Sequence, residues 1–131
     1  MNQAAQDHWQ RALRARQSAQ LLLDAGDHDG AASRAYYAAF HALSALLATE
    51  GRTFTRHTHL EAAVHRDLVR EGRVDASIGK AFSTLREYRA RGDYGGQQHI
   101  NEPAAQLAVR CAAQIVEAVQ KVDDRFGKPP V

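Results

Sequence analysis

Between Gly30 and Glu50 the chain reads Gly-Ala-Ala-Ser-Arg-Ala-Tyr-Tyr-Ala-Ala-Phe-His-Ala-Leu-Ser-Ala-Leu-Leu-Ala-Thr-Glu, small or apolar around most of a helix's circumference. A surface helix has one apolar stripe and a polar back, so a segment without such a back must have neighbours on several sides. It is therefore expected to be a central helix about which the rest of the chain packs. Alanine is abundant elsewhere too, Val, Ile and Thr are sparse, and the few prolines lie outside the periodic stretches, which favours helix over strand almost throughout.

The remaining segments supply the neighbours. A first helix is expected over Gln3–Ala25, with Ala5, Trp9, Ala12, Leu13, Ala19 and Leu23 at helical spacing and Gly26 as its stop. Asp27 or Asp29 can cap the central helix, which ends at Gly51. The pattern then predicts a third helix over Thr58–Arg70 closed by Gly72, and a fourth capped by Asp75 with the stripe Ile78, Phe82 and Leu85. That fourth helix is expected to stop near Arg91, because Gly92-Asp-Tyr-Gly-Gly96 holds three glycines and no apolar periodicity. Asn101-Glu-Pro103 reads as the start of a last helix whose stripe is Leu107, Cys111, Ile115, Val119, Val122 and Phe126. With 131 residues there is material for one core, and 44% hydrophobic against 24% charged residues is a globular composition. The expectation is an all-α, up-and-down antiparallel bundle of four to five helices, one domain over residues 1–126 with a flexible tail at 127–131.

Several function classes find no support. No apolar run approaches the ~20 residues that cross a bilayer, and the amphipathic start with Asp7 and Trp9 is no signal peptide, so a cytoplasmic protein without membrane association is expected. Cys111 has no second cysteine and sits on an apolar stripe, as a small core residue does. His57, His59 and His65 lack the one-turn separation of helical metal ligands, and there is no HExxH, P-loop or G-x-S-x-G, so neither metal nor cofactor is expected. The net charge of +2 does not by itself imply nucleic-acid binding, and the preference for Arg over Lys is also what a high-GC coding bias gives. Where the arginines cluster matters more than how many there are.

Two constellations carry chemistry. Arg34, Tyr37, His41 and Ser44 follow one another by three, four and three residues and so lie in a line on one face of the central helix. In a cleft, Arg34 can hold a phosphate bidentately, a tyrosine can stack on a base, and His41 can work as an acid or base; alternatively Tyr36, Tyr37 and His41 fill a helix interface. The second constellation is Leu85-Arg-Glu-Tyr-Arg-Ala-Arg-Gly-Asp-Tyr-Gly-Gly96, where Arg89 continues an apolar stripe and needs a carboxylate or a bound anion, Asp93 being the nearest carboxylate. Arg86 and Arg91 read as solvated surface charges, and Tyr94 as a loop anchor with a free hydroxyl.

Ala31-Ala-Ser-Arg-Ala-Tyr-Tyr-Ala-Ala-Phe-His-Ala-Leu43 resembles the signature helix of the HEPN family, in its small stand-alone prokaryotic branch. Gly51–Val64 resembles that branch's loop and third helix, with His57 at its usual histidine, and Leu85–Gly96 resembles its second motif, an Arg followed after three residues by Asp-Tyr-Gly. The resemblance implies a homodimer with a cleft between protomers, often encoded beside a minimal nucleotidyltransferase as a toxin–antitoxin-like pair. Many such proteins are metal-independent ribonucleases that use an Arg, four to six residues, then a His. Here Arg89 is followed by Asp93 and Tyr94 where that His would stand, and an ionised Asp cannot donate a proton. Arg34 and His41 meet the count, but on the signature helix. The leading expectation is thus a nucleotide- or RNA-associated binding or regulatory protein with a cleft lined by Arg34, Tyr37, His41, Arg89, Asp93 and Tyr94. The alternatives are an endoribonuclease toxin, with Arg34, His41 and Arg89 as catalytic candidates, and a module that binds only protein.

Overall fold

The computed structural model describes residues 1–94 and 99–127, with Tyr94 described by its backbone. Five helices follow in order: α1 Gln3–Asp24, α2 His28–Ala48, α3 His57–Ala63 running on into a π-helical stretch Val64–Val69, α4 Ala76–Tyr94 and α5 Glu102–Val122. There is no strand among the described residues, and none of the helices is long and apolar enough to cross a membrane.

The ends of the helices follow from local chemistry. Asn2 accepts a hydrogen bond from the Ala5 amide at 2.8 Å, capping α1, and its side-chain amide donates to the Ala48 carbonyl at 2.7 Å, which ties the start of α1 to the end of α2. Gly26 has φ of 82°, a left-handed conformation that L side chains adopt only under strain, and this lets the chain reverse directly into α2. Of the two expected caps it is Asp27 that bonds the Gly30 amide, at 2.9 Å. Asp29 instead accepts from the Ile100 amide at 2.8 Å and pairs with His99 at 2.7 Å, fastening the approach to α5 onto the start of α2.

Helix α2 is central, packed by α1, α4 and α5. Ala31, Ala35, Ala38, Ala39 and Ala42 are fully buried along it, and their small side chains let neighbouring backbones approach closely while Leu43, Leu46 and Leu47 fill the space between. Tyr36 lies parallel to Phe82 of α4, with ring centroids 5.8 Å apart and 7° between planes. At the other end Trp9 packs on Phe126 at 4.8 Å and donates its indole N–H to the Gly127 carbonyl at 2.9 Å. Of the tail expected at 127–131, Gly127 is held by this bond and by one from Gln120 at 3.1 Å, and 128–131 lies outside the described residues.

Four local expectations are corrected. Helix α4 does not stop near Arg91 but runs through Gly92 to Tyr94, because the i,i+4 pairs Glu87–Arg91 and Arg89–Asp93 stabilise its last turns. A Cβ on Gly92 would lie 3.6 Å from Asp29, so the helix end packs against the start of α2. The third helix is not uniform: the Arg70 amide reaches back five residues to the His65 carbonyl, and both Val64 and Leu68 are buried in the widened stretch. Leu107 is turned outward, since small residues such as Ala105 and Ala108 occupy the buried face beside it. Phe126 reaches the core from beyond the end of α5 and not as part of its stripe. Cys111 is buried, and burial pushes its thiol pKa up.

Candidate functional site

The line Arg34, Tyr37, His41 comes to the surface where α2 borders α1. Together with Arg11, Arg14, Ala15 and Ser18 of α1 these residues line a hollow of about 480 Å³. A second hollow, of about 360 Å³, lies on the other side of Tyr37, formed by Tyr36, Tyr37 and Phe40 of α2, Thr55 and His57 at the start of α3, and Arg86, Arg89 and Ala90 of α4. Tyr37 is common to both. The Arg34 guanidinium carbon is 4.9 Å from its ring centroid and that of Arg89 is 5.3 Å from it, so the two cations stand within about 10 Å of each other. Arg89 is also 5.4 Å from the ring of Tyr36, the floor of the second hollow.

The charges of the two hollows are balanced differently. In the second, Arg86 donates to Glu61 at 2.6 Å, and Ser83 holds the other oxygen of that carboxylate at 3.0 Å. Arg89 donates through Nε to Asp93 at 3.1 Å, and its two terminal nitrogens make no hydrogen bond among the described residues. In the first hollow neither Arg11, Arg14 nor Arg34 has a carboxylate within ion-pair distance among the described residues. The Tyr36 hydroxyl is buried without a hydrogen-bond partner among the described residues, and burial pushes its pKa up to about 12, so it is a protonated donor at any physiological pH.

His41 faces His8 of α1 with the two Nδ1 atoms 3.0 Å apart, a contact that works only if one ring donates and the other accepts. Burial, then His8, Arg11 and Arg34, push the His41 pKa down to about 4; burial and Arg11 lower that of His8 against the pull of Asp7. At neutral pH His41 is therefore uncharged and only weakly basic. The unfolded chain takes up a proton near the ordinary histidine value of 6.5 and the native one does not, so stability is full above that value and falls as the pH drops from 6.5 toward 4. Urea midpoints at about pH 7.5 and pH 5 should reveal a loss of about 1–2 kcal/mol in the wild type, allowing for solvent screening, and a smaller one in His41→Gln.

Of the sequence-derived site residues, Arg34, Tyr37, His41 and Arg89 converge around one ring, with Asp93 held on Arg89. The side chain of Tyr94 lies outside the described residues. Ser44 does not share the groove; it is 2% exposed, with its hydroxyl buried among the neighbours of α2. His57 lines the second hollow, its ring 6.4 Å from that of Tyr36, whereas His59 is exposed and His65 sits against Ser83. Arg91 pairs outward with Glu87, as a surface charge does, but Arg86 belongs to the groove. Arg11, Arg14, Ser18 and His8 escaped the sequence reading. Their signal was present as a polar face of α1 at spacings of three and four residues, but nothing in that spacing says which helix it meets.

Fold and groove together define a small helical-bundle protein with a basic cleft along its central helix. The chain belongs to the HEPN domain family, whose family model matches residues 5–122. It is 34% identical over 117 residues to a UPF0332 protein of Thermotoga maritima, spanning 88% of this chain and 89% of that one. Among solved structures it resembles TT1696 from Thermus thermophilus, with a TM-score of 0.79 and 25% identity over 93% of this chain and 99% of the other. The family carries a general nucleotide- or RNA-related, or regulatory, role.

Proposed function

We propose that this HEPN protein binds RNA or a nucleotide by its phosphates and acts as a regulatory, toxin–antitoxin-like component. The observation that carries the reading is the shared ring: Arg34 and Arg89, 55 residues apart in the chain, both stand against Tyr37. A guanidinium presents a planar fork of donors to phosphate oxygens, and an aromatic face offers a platform for a base. The terminal nitrogens of Arg89 supply donors to the same ligand, while its Nε is held by Asp93 at 3.1 Å. HEPN domains commonly dimerise, and the proposal includes a homodimer and a minimal nucleotidyltransferase partner.

The second reading is metal-independent RNA cleavage, and it draws on His57. That residue shares the second hollow with Arg89 and would provide the imidazole that the sequence after Arg89 lacks. His41 is a poor candidate for the role, being neutral, weakly basic and engaged with His8. Incubating the protein with mixed RNA in EDTA separates the two readings. A binder retains full-length RNA; an enzyme shortens it, and His57→Ala or Arg89→Ala should then reduce the rate by about 100-fold or more.

A further inference from the structure

The arginines of α1 lie outside the stretches that resemble the family's motifs, yet they contribute most of the charge in the first hollow. Arg11, Arg14 and Arg34 converge there, and among the described residues no carboxylate stands within ion-pair distance of any of them. The second hollow differs, because Arg86 and Arg89 each commit a donor to a carboxylate, Glu61 and Asp93. This concentration does not follow from a generally basic chain, since 17 Lys and Arg are set against 15 Asp and Glu. Three like charges around one concavity repel one another, and an anion seated among them relieves that repulsion while taking up their donors. Ser18 adds a hydroxyl to the lining, and the His8–His41 pair backs it with imidazoles in contact at 3.0 Å.

We infer that the hollow between α1 and α2 is a phosphate-anchoring subsite of its own, in which Arg11, Arg14 and Arg34 hold one phosphate of a single strand whose next phosphate lies across Tyr37 at Arg89. The inference rests on the RNA-binding reading and deepens it: the ligand is a chain of at least two phosphates, gripped by its backbone on either side of one aromatic ring. The first hollow contributes affinity without base readout, since guanidiniums contact phosphates there and not base edges.

Arg11 and Arg14 are exposed, so their removal leaves the core intact. The test is fluorescence anisotropy of a labelled single-stranded RNA of about ten nucleotides over a salt series, with wild type, Arg11→Ala/Arg14→Ala and the corresponding double Lys variant. The alanine pair should weaken binding by about tenfold for every RNA sequence and flatten the log affinity against log salt slope by about one, and the lysine pair should keep the slope. In parallel, inorganic phosphate should shift the imidazole NMR signals of His8 and His41 in the wild type and not in the alanine pair.

RNA binding with unchanged affinity and slope in the alanine pair would overturn the subsite and leave the RNA-binding reading standing. Phosphate-induced shifts without any RNA binding would support the site as a phosphate pocket and overturn the strand across Tyr37. Competition by poly-glutamate as strong as that by RNA would overturn the phosphate assignment in favour of an acidic protein. Absence of both RNA binding and phosphate shifts would remove the subsite and the RNA-binding reading together.

Discussion

Phe82→Ala should lower folding stability by about 3–5 kcal/mol, the range for deleting a buried aromatic ring. Phe82 is 1% exposed and carries the stacked ring of Tyr36, so its loss leaves a cavity between α2 and α4 that the packed alanines of α2 cannot close without moving a helix. A domain of this size has a total stability on the order of 5–15 kcal/mol, and the urea midpoint should accordingly fall by roughly 2 M if the slope is that of a small protein. Tyr36 supports Arg89 at 5.4 Å, so whatever folded Phe82→Ala protein remains should also bind RNA less tightly. A loss below about 1 kcal/mol would mean that the Tyr36–Phe82 stack is not the tie between the two helices.

Arg34→Ala/Arg89→Ala should reduce RNA affinity by about 100-fold, from roughly tenfold for each charge-assisted phosphate contact. Neither residue is part of the core, and thermal unfolding should change little for Arg34, which is exposed. Arg89 is more deeply set and its removal also leaves the Asp93 carboxylate without its ion-pair partner. Arg89→Ala alone should for that reason be the more damaging single change, and Asp93→Asn in its background should recover part of the loss. Both cations stand against Tyr37, and anisotropy titrations of both single variants beside the double measure any departure from additivity directly.

The parts of the fold that were legible in the sequence are those fixed by local chemistry. The alanine-rich run at 31–42 could only be a helix with neighbours all round, and Gly26 and Asn101-Glu-Pro103 mark a stop and a start that the structure keeps. What misled was a competition between local terms. Gly92 argues against helix by propensity, but two i,i+4 ion pairs and close packing on Asp29 outweigh it. Leu107 is more apolar than Ala105 or Ala108, yet the alanines are buried, because the face of α5 is set by how near a backbone can approach and not by residue hydrophobicity.

The site divides in the same way. The line Arg34, Tyr37, His41 was legible because spacing fixes a face. That Arg89 meets Tyr37, and that Arg11 and Arg14 meet Arg34, depends on the rotation of α4 and α1 about their own axes, which side-chain spacing within one helix does not encode. Ser44 shows the limit of the same argument, since it continues the line geometrically but lies where α2 is covered. His57 came with the family resemblance, and only the packing of the start of α3 beside α4 gives it a neighbour in Arg89.

The central claim is that the groove around Tyr37 holds RNA by its phosphates and leaves it whole. The most direct measurement is an electrophoretic mobility shift of labelled single-stranded RNA in EDTA, with the RNA then recovered and sized on a denaturing gel. The expected result is a shift that weakens as salt rises, is lost in Arg34→Ala/Arg89→Ala, and returns RNA of full length. RNA that migrates unshifted at low salt would contradict it, and RNA shortened by the wild type but not by His57→Ala would replace binding with cleavage.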